Sequence, residues 1–147
     1  MQIARNPSVQ APVPHALPYD LRGVAVVEFA LVAPLFLVML LGILAYGGYF
    51  WRAHSLQQIA NDAARASIAG LTATERASLA RATVSGEVAD LAGLSPDRAT
   101  VGVREDGDTL SVSVAYDAHR DAFFQFGLVP MPDPVIRRDA AIKLGGL

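Results

Sequence analysis

The chain has 147 residues, a net charge of -2, no cysteine and 52% hydrophobic residues. That length accommodates one small domain beside a membrane segment, and the charge supplies no basic surface for nucleic acid. The lack of cysteine excludes disulfides, thiolate zinc sites and cysteine nucleophiles, without fixing the compartment.

Residues 1–23 read MQIARNPSVQAPVPHALPYDLRG. Pro7, Pro12, Pro14 and Pro18 oppose a stable helix, and few large apolar residues are available to pack, which predicts a disordered cytoplasmic leader. At the join, Gly23 is followed by Val24-Ala25-Val26-Val27 and then Glu28-Phe29. Glu28 carries the one acidic side chain of the apolar stretch. A carboxylate at the edge of a bilayer is costly unless it stays wet or finds a partner. Either Glu28 lies shallow enough to meet water, or a specific partner compensates it. Cutting after Gly23 would free such a partner, an amine on Val24 one helical turn away, in the same chain or in a neighbour.

The run from Phe29 to Trp51 holds about 23 residues without a charge, enough to cross a hydrocarbon core of about 30 Å as a helix. It exceeds the apolar core of a secretory signal peptide, about 7–15 residues. Tyr46, Tyr49 and Trp51 cluster at its far end, where amphipathic rings suit the headgroup region, and Arg52 marks the return to water. Pro34 inside the run removes the donor for the carbonyl of Ala30 and predicts a kink, either a plain bend or a hinge. Arg5 and Arg22 precede the span against Asp20 alone, whereas Arg52 is soon followed by Asp62 and Arg65. This bias favours a single-pass membrane protein with a cytoplasmic N-terminus and an extracytoplasmic C-terminal domain.

Beyond the span, Leu56, Ile59, Ala60, Ala63 and Ser67 recur at helical spacing, opposite Gln57, Gln58, Asn61, Asp62 and Arg65. With Gly70 as C-cap, one helix from Val24 to Ala69 would be about 70 Å long at 1.5 Å per residue. Thr72 and Glu75 form a capping-box pattern, and Ala77, Ala80, Val84, Val88 and Leu91 form one stripe of a second helix ended by Gly93. Ser95-Pro96-Asp97 makes a turn.

The period then changes to two. Val101 and Val103 alternate with Thr100, Gly102 and Arg104; Leu110, Val112, Val114 and Tyr116 alternate with Ser111, Ser113 and Ala115. Asp106-Gly107 between these runs predicts a tight hairpin. A third strand is predicted at Val135 to Leu144, with Ile136, Ala140, Ile142 and Leu144 inward and Arg137, Asp139 and Lys143 outward. The link DAHRDAFFQFGLVPMPDP carries Phe123, Phe124, Phe126, Leu128 and Val129. These either wrap under the sheet to complete a core or form a patch that meets another subunit or the membrane surface. The predicted class is therefore α+β. It comprises a leader over 1–23, a transmembrane helix over 24–51 and an extracytoplasmic domain over 52–147, with a second helix and a small antiparallel sheet.

Catalytic signals are few. His15, His54 and His119 are far apart, and no phosphate loop, nucleophile elbow or HExxH occurs. Asp117-x-His119-x-Asp121 on a strand would share a face and could grip a metal loosely, which would make a small tethered metal enzyme; a solvated strand end is the simpler reading. The acidic run Glu105 to Asp108 is explained by a hairpin turn. No catalytic residue, metal or cofactor is expected, and the chain is not expected to be an enzyme.

Gly23, four apolar residues and Glu28-Phe29 resemble the type IV prepilin processing site. The wider string narrows the resemblance to the TadE-like family, the minor pilins or pseudopilins of the tight-adherence (Flp) pilus assembly system. The matching pieces are Arg22-Gly23, Glu28-Phe29-Ala30-Leu31-Val32, Pro34-Leu35, Gly42-Ile43, Gly47 and Ala63-Ala64-Arg65-Ala66. Ala45 departs from the pattern, since many relatives carry an acid there, and the proline-rich leader is longer than most. The resemblance implies cleavage between Gly23 and Val24 by a prepilin peptidase, with Glu28 and Phe29 serving subunit packing and charge pairing. It also implies partners: the peptidase, major and minor pilins, the pilus assembly platform and membrane lipid. An uncleaved, membrane-anchored binding or scaffold domain is the rival reading.

Overall fold

A computed structural model describes residues 21–125, 127 and 129–144. The predicted disorder of the leader before Leu21, and the parts of the apolar link at Phe126 and Leu128, lie outside the described residues.

The first helix, α1, runs from Leu21 to Ser67 and passes through Pro34. It begins upstream of the expected Val24 and stops short of the expected Ala69. Two compact units divide between Leu35 and Phe36. In the first, Val24, Val26, Val27, Phe29, Leu31 and Leu35 are all exposed. A segment with this surface is suited to hydrocarbon, where a helix satisfies its own backbone donors and acceptors. The helix is long and apolar enough to cross a membrane, with a best window of mean hydropathy 2.7.

The second unit contains the rest of α1, then α2 (Ala73–Asp90), a 3-10 turn (Pro96–Arg98), β1 (Ala99–Asp106), β2 (Thr109–Asp117), α3 (Ala122–Gln125) and β3 (Val135–Lys143). The strands form one antiparallel sheet in the order β1-β2-β3. The α+β class is therefore observed, with a long apolar helix, a second helix and a small antiparallel sheet. On β2 the period-two pattern buries Leu110, Val112, Val114 and Tyr116. The core closes with Ala53, Leu56, Ile59, Ala60, Ala63 and Ala64 of α1 and Ala80, Val84 and Val88 of α2. Small side chains at these helical positions shorten the distance between packed axes. Each fully buried Val or Leu contributes about 1.5–3 kcal/mol of transfer free energy.

The capping box of α2 forms as read: the Glu75 amide donates to Thr72 Oγ1 at 3.2 Å, and the Thr72 amide donates to Glu75 Oε2 at 3.1 Å. The ends of the helices differ from expectation. Gly70 is not a left-handed C-cap, for it is absent from the glycines of positive φ. Its role is closeness: a Cβ there would stand 2.6 Å from the backbone nitrogen of Arg76. α2 ends at Asp90, before Gly93, which falls in the following turn. The hairpin lies one residue later than Asp106-Gly107. Asp106 pairs with Thr109, so Gly107 and Asp108 are the loop, and Gly107 holds φ at 59°. On β3, Ile136 and Ala140 are buried and Arg137, Asp139 and Lys143 are exposed, as expected. The strand ends at Lys143, so Leu144 lies just past it.

Candidate functional site

The four residues singled out at the join sit on the N-terminal part of α1. Gly23 is helical and exposed, and a Cβ on it would meet nothing within 4 Å. Val24 and Glu28 are one turn apart and share a face of the helix. Both are exposed, and Phe29 is 73% exposed. Neither packing nor backbone conformation in the chain itself requires glycine at position 23, as is also true of Gly47 and Gly86. Glycine inside a helix costs about 0.5–1 kcal/mol relative to alanine.

The second unit is held together by side chains that periodicity does not reveal. Asp121 is 6% exposed and faces two guanidinium groups, Arg52 of α1 at 2.7 Å and Arg98 of the 3-10 turn at 2.9 Å. Arg52 also stacks over the ring of Phe123 at 4.6 Å, and Arg98 over the ring of Tyr116 at 4.9 Å. Burial pushes the Tyr116 hydroxyl above its ordinary range, against the opposing pull of Arg98. At the far end of α2, Arg76 grips Glu105 of β1 through two bonds, 2.6 and 3.0 Å, and donates to the carbonyl of Gly70 at 2.9 Å. β3 is tied to α1 by Gln57, which donates to the carbonyl of Asp139 at 3.0 Å, and by Arg138, which donates to that of Ala53 at 3.2 Å.

The alternating Asp117, His119 and Asp121 do not converge. β2 ends at Asp117, whose carboxylate accepts from the backbone N–H of His119 at 2.9 Å and lies 2.6 Å from its Nδ1. These contacts, the backbone one foremost, hold the Asp117 carboxyl below its usual range. Asp121 turns inward to the two arginines. Among the described residues no group of three His, Asp or Glu side chains is placed to hold a metal.

The described residues of the apolar link fold back on α1. Phe124 packs against the core, and Phe123 stands 3.2 Å from where a Cβ on Gly48 would lie. Val129 reaches Gly42, and Tyr46 donates its hydroxyl to the carbonyl of Pro130 at 2.6 Å. Ala45 is 3% exposed, so an acid at this position would be buried.

An exposed apolar helix joined to an α+β unit defines a protein with a candidate N-terminal membrane anchor. Residues 23–65 match the family model described as TadE-like protein. The match bears out the resemblance over that segment, which takes in Gly23, Val24, Glu28 and Phe29 and ends within α1. No curated protein and no solved structure matches the chain.

Proposed function

We propose that this protein is a minor pilin or pseudopilin of a tight-adherence pilus assembly system, cut between Gly23 and Val24 by a prepilin peptidase. The observation that carries the reading is the TadE-like match, which starts at Gly23 and covers the exposed apolar part of α1. On this reading α1 stores the subunit in the inner membrane with its N-terminus in the cytoplasm. When the subunit is extracted, the same apolar surface packs against the helices of other pilins. Glu28 pairs with the new Val24 amine, its own or a neighbour's, and Phe29 fills the adjoining contact. The α+β unit presents surfaces to major and minor pilins and to the assembly platform. The work is mechanical, with no catalytic step and no cofactor.

The test is to produce the full chain in membranes with and without an active prepilin peptidase, and to sequence the mature N-terminus. A chain beginning at Val24 only when the peptidase is active is the expected result. An intact Met1 in its presence overturns the reading in favour of an uncleaved anchored scaffold.

A further inference from the structure

In the link between β2 and β3, Val129 and Pro130 sit beside the part of α1 that reads as membrane span. From Ala122 to Pro132 the link carries no charged residue. Val129 lies against Gly42, and Pro130 is held by Tyr46. Together with Val38, Met39 and Ile43 they line an open groove that is almost wholly apolar.

Its depth follows from the helix. At 1.5 Å per residue, Tyr46 lies roughly 9 Å and Gly42 roughly 15 Å on the membrane side of Arg52. A headgroup layer is roughly 5–8 Å thick on each side of the hydrocarbon. A chain segment at the level of Gly42 has therefore passed the headgroups.

Irregular backbone at that depth is costly because its polar groups lose water. This segment is built to limit that cost. Pro130, Pro132 and Pro134 have no N–H to satisfy. The carbonyl of Pro130 accepts from Tyr46, and that of Pro134 accepts from the amide of Ala118 at 3.0 Å. The first charge after the apolar stretch, Asp133, turns back to accept from the Val135 amide at 2.8 Å.

We propose that Val129–Pro132 is a second membrane contact, inserted into the leaflet on the α+β unit's side of the bilayer that α1 crosses, with acyl chains filling the groove beside Val38, Met39 and Ile43. The contact fixes the height of the α+β unit against the membrane. The inference rests on α1 spanning a membrane, and not on cleavage or on pilus assembly.

Since the natural chain has no cysteine, single labels can be placed freely. The uncut full chain carrying Val129→Cys or Met131→Cys is labelled with a polarity-sensitive fluorophore. Val38→Cys on the span and Asp108→Cys at the hairpin tip are the controls. Each is reconstituted in phosphatidylcholine vesicles with and without acyl-brominated lipid. Labels at 129 and 131 are expected to emit to the blue and to lose most of their emission to brominated lipid, as at 38, while 108 stays sensitive to aqueous iodide. Quenching at 38 with none at 129 and 131 overturns the second contact and leaves the span standing. Absence of quenching at 38 as well overturns both. Labels at 129 and 131 that are shielded from lipid and water alike, in a manner that scales with protein density, assign the groove to a second copy of the chain and also overturn the proposal.

Discussion

The carboxylate of Asp121 lies 2.7 Å from Nε of Arg52 and joins the middle of α1 to the segment that follows β2. The two atoms are buried without hydrogen-bond alignment, so their contact is Coulombic. Arg98 supplies the hydrogen bond on the other carboxylate oxygen, at 2.9 Å. One carboxylate thus compensates two guanidinium groups whose side chains are 15% and 19% exposed. Phe123 covers Arg52 and is held near Gly48 by the same arrangement.

Asp121→Asn keeps the shape and removes the charge. It leaves both arginines largely buried without an anion, the situation in which breaking a buried pair costs about 3 kcal/mol or more. The expected outcome is a lower midpoint for urea unfolding of the detergent-solubilised chain, followed by the fluorescence of Trp51. An unchanged midpoint would show that water already screens the site.

Gly107→Val tests the hairpin. Residue 107 holds φ at 59°, and a Cβ there would meet nothing within 4 Å. Any loss therefore comes from backbone strain and not from crowding. An L-residue in this region costs about 1–2 kcal/mol, and a β-branched one lies at the upper end. Gly107→Asn should lose much less, because asparagine tolerates the left-handed conformation. Equal thermal stability of the Val and Gly forms would refute the turn geometry.

The legible parts of this fold were those set by neighbours in sequence. The long helix α1 announces itself by an uninterrupted apolar run, α2 by its capping box, and the sheet by period-two alternation ending on Leu110, Val112, Val114 and Tyr116. The sequence leaves the turn ambiguous by one residue because Asp-Gly and Gly-Asp overlap at 106–108, and only strand register separates them. Gly70 is ambiguous in sequence because a glycine after a helix looks the same whether it supplies positive φ or permits close approach. Arg52, Arg98 and Asp121 were opaque for a different reason. They come from three separate elements, and nothing local distinguishes a buried arginine from a solvated one. Asp121 even carried a misleading signal, its spacing from Asp117 and His119. Arg76 and Glu105 were hidden in the same way.

The pH dependence of stability carries contributions of opposite sign. The hydrogen bond from Arg76, partly offset by burial, holds the Glu105 carboxyl below its ordinary value of 4.5. A group depressed in the folded state contributes stability that is present above the unfolded pKa and is lost as pH falls through the folded one. Asp117 acts in the same direction. Glu87 acts the other way: burial, with Asp62 and Asp90 nearby, raises its carboxyl. Its charged form disfavours the fold at neutral pH and is relieved on acidification. Urea midpoints measured from neutral pH down through the carboxylate range should therefore fall less steeply in Glu105→Gln than in the natural chain. Glu87→Gln should raise the midpoint at neutral pH and fall more steeply. Parallel curves for all three proteins would remove both carboxylates from the account.

The most specific prediction concerns the head of α1. Gly23 has open space where a side chain would go, so Gly23→Val costs the folded chain little. For an approaching peptidase the added branches are an obstacle, and the loss of glycine's freedom makes the helix harder to open locally. Gly23→Val should therefore block cleavage while leaving membrane insertion intact, since the apolar run is unchanged. Glu28 should act after cleavage. Opposite charges about 4 Å apart gain only ~1 kcal/mol in water and more in a less polar setting, so the pairing with the Val24 amine gains most of its value when helices pack. Glu28→Gln keeps the shape and removes the charge. It should insert, be cut between Gly23 and Val24 to nearly the natural extent, and then support pilus assembly poorly. Mature N-terminal sequence and pilus yield, measured on the same cells, separate the two roles. Natural pilus yield from the cut Gln variant would make Glu28 a bystander, and efficient cutting of Gly23→Val would dismiss the processing site.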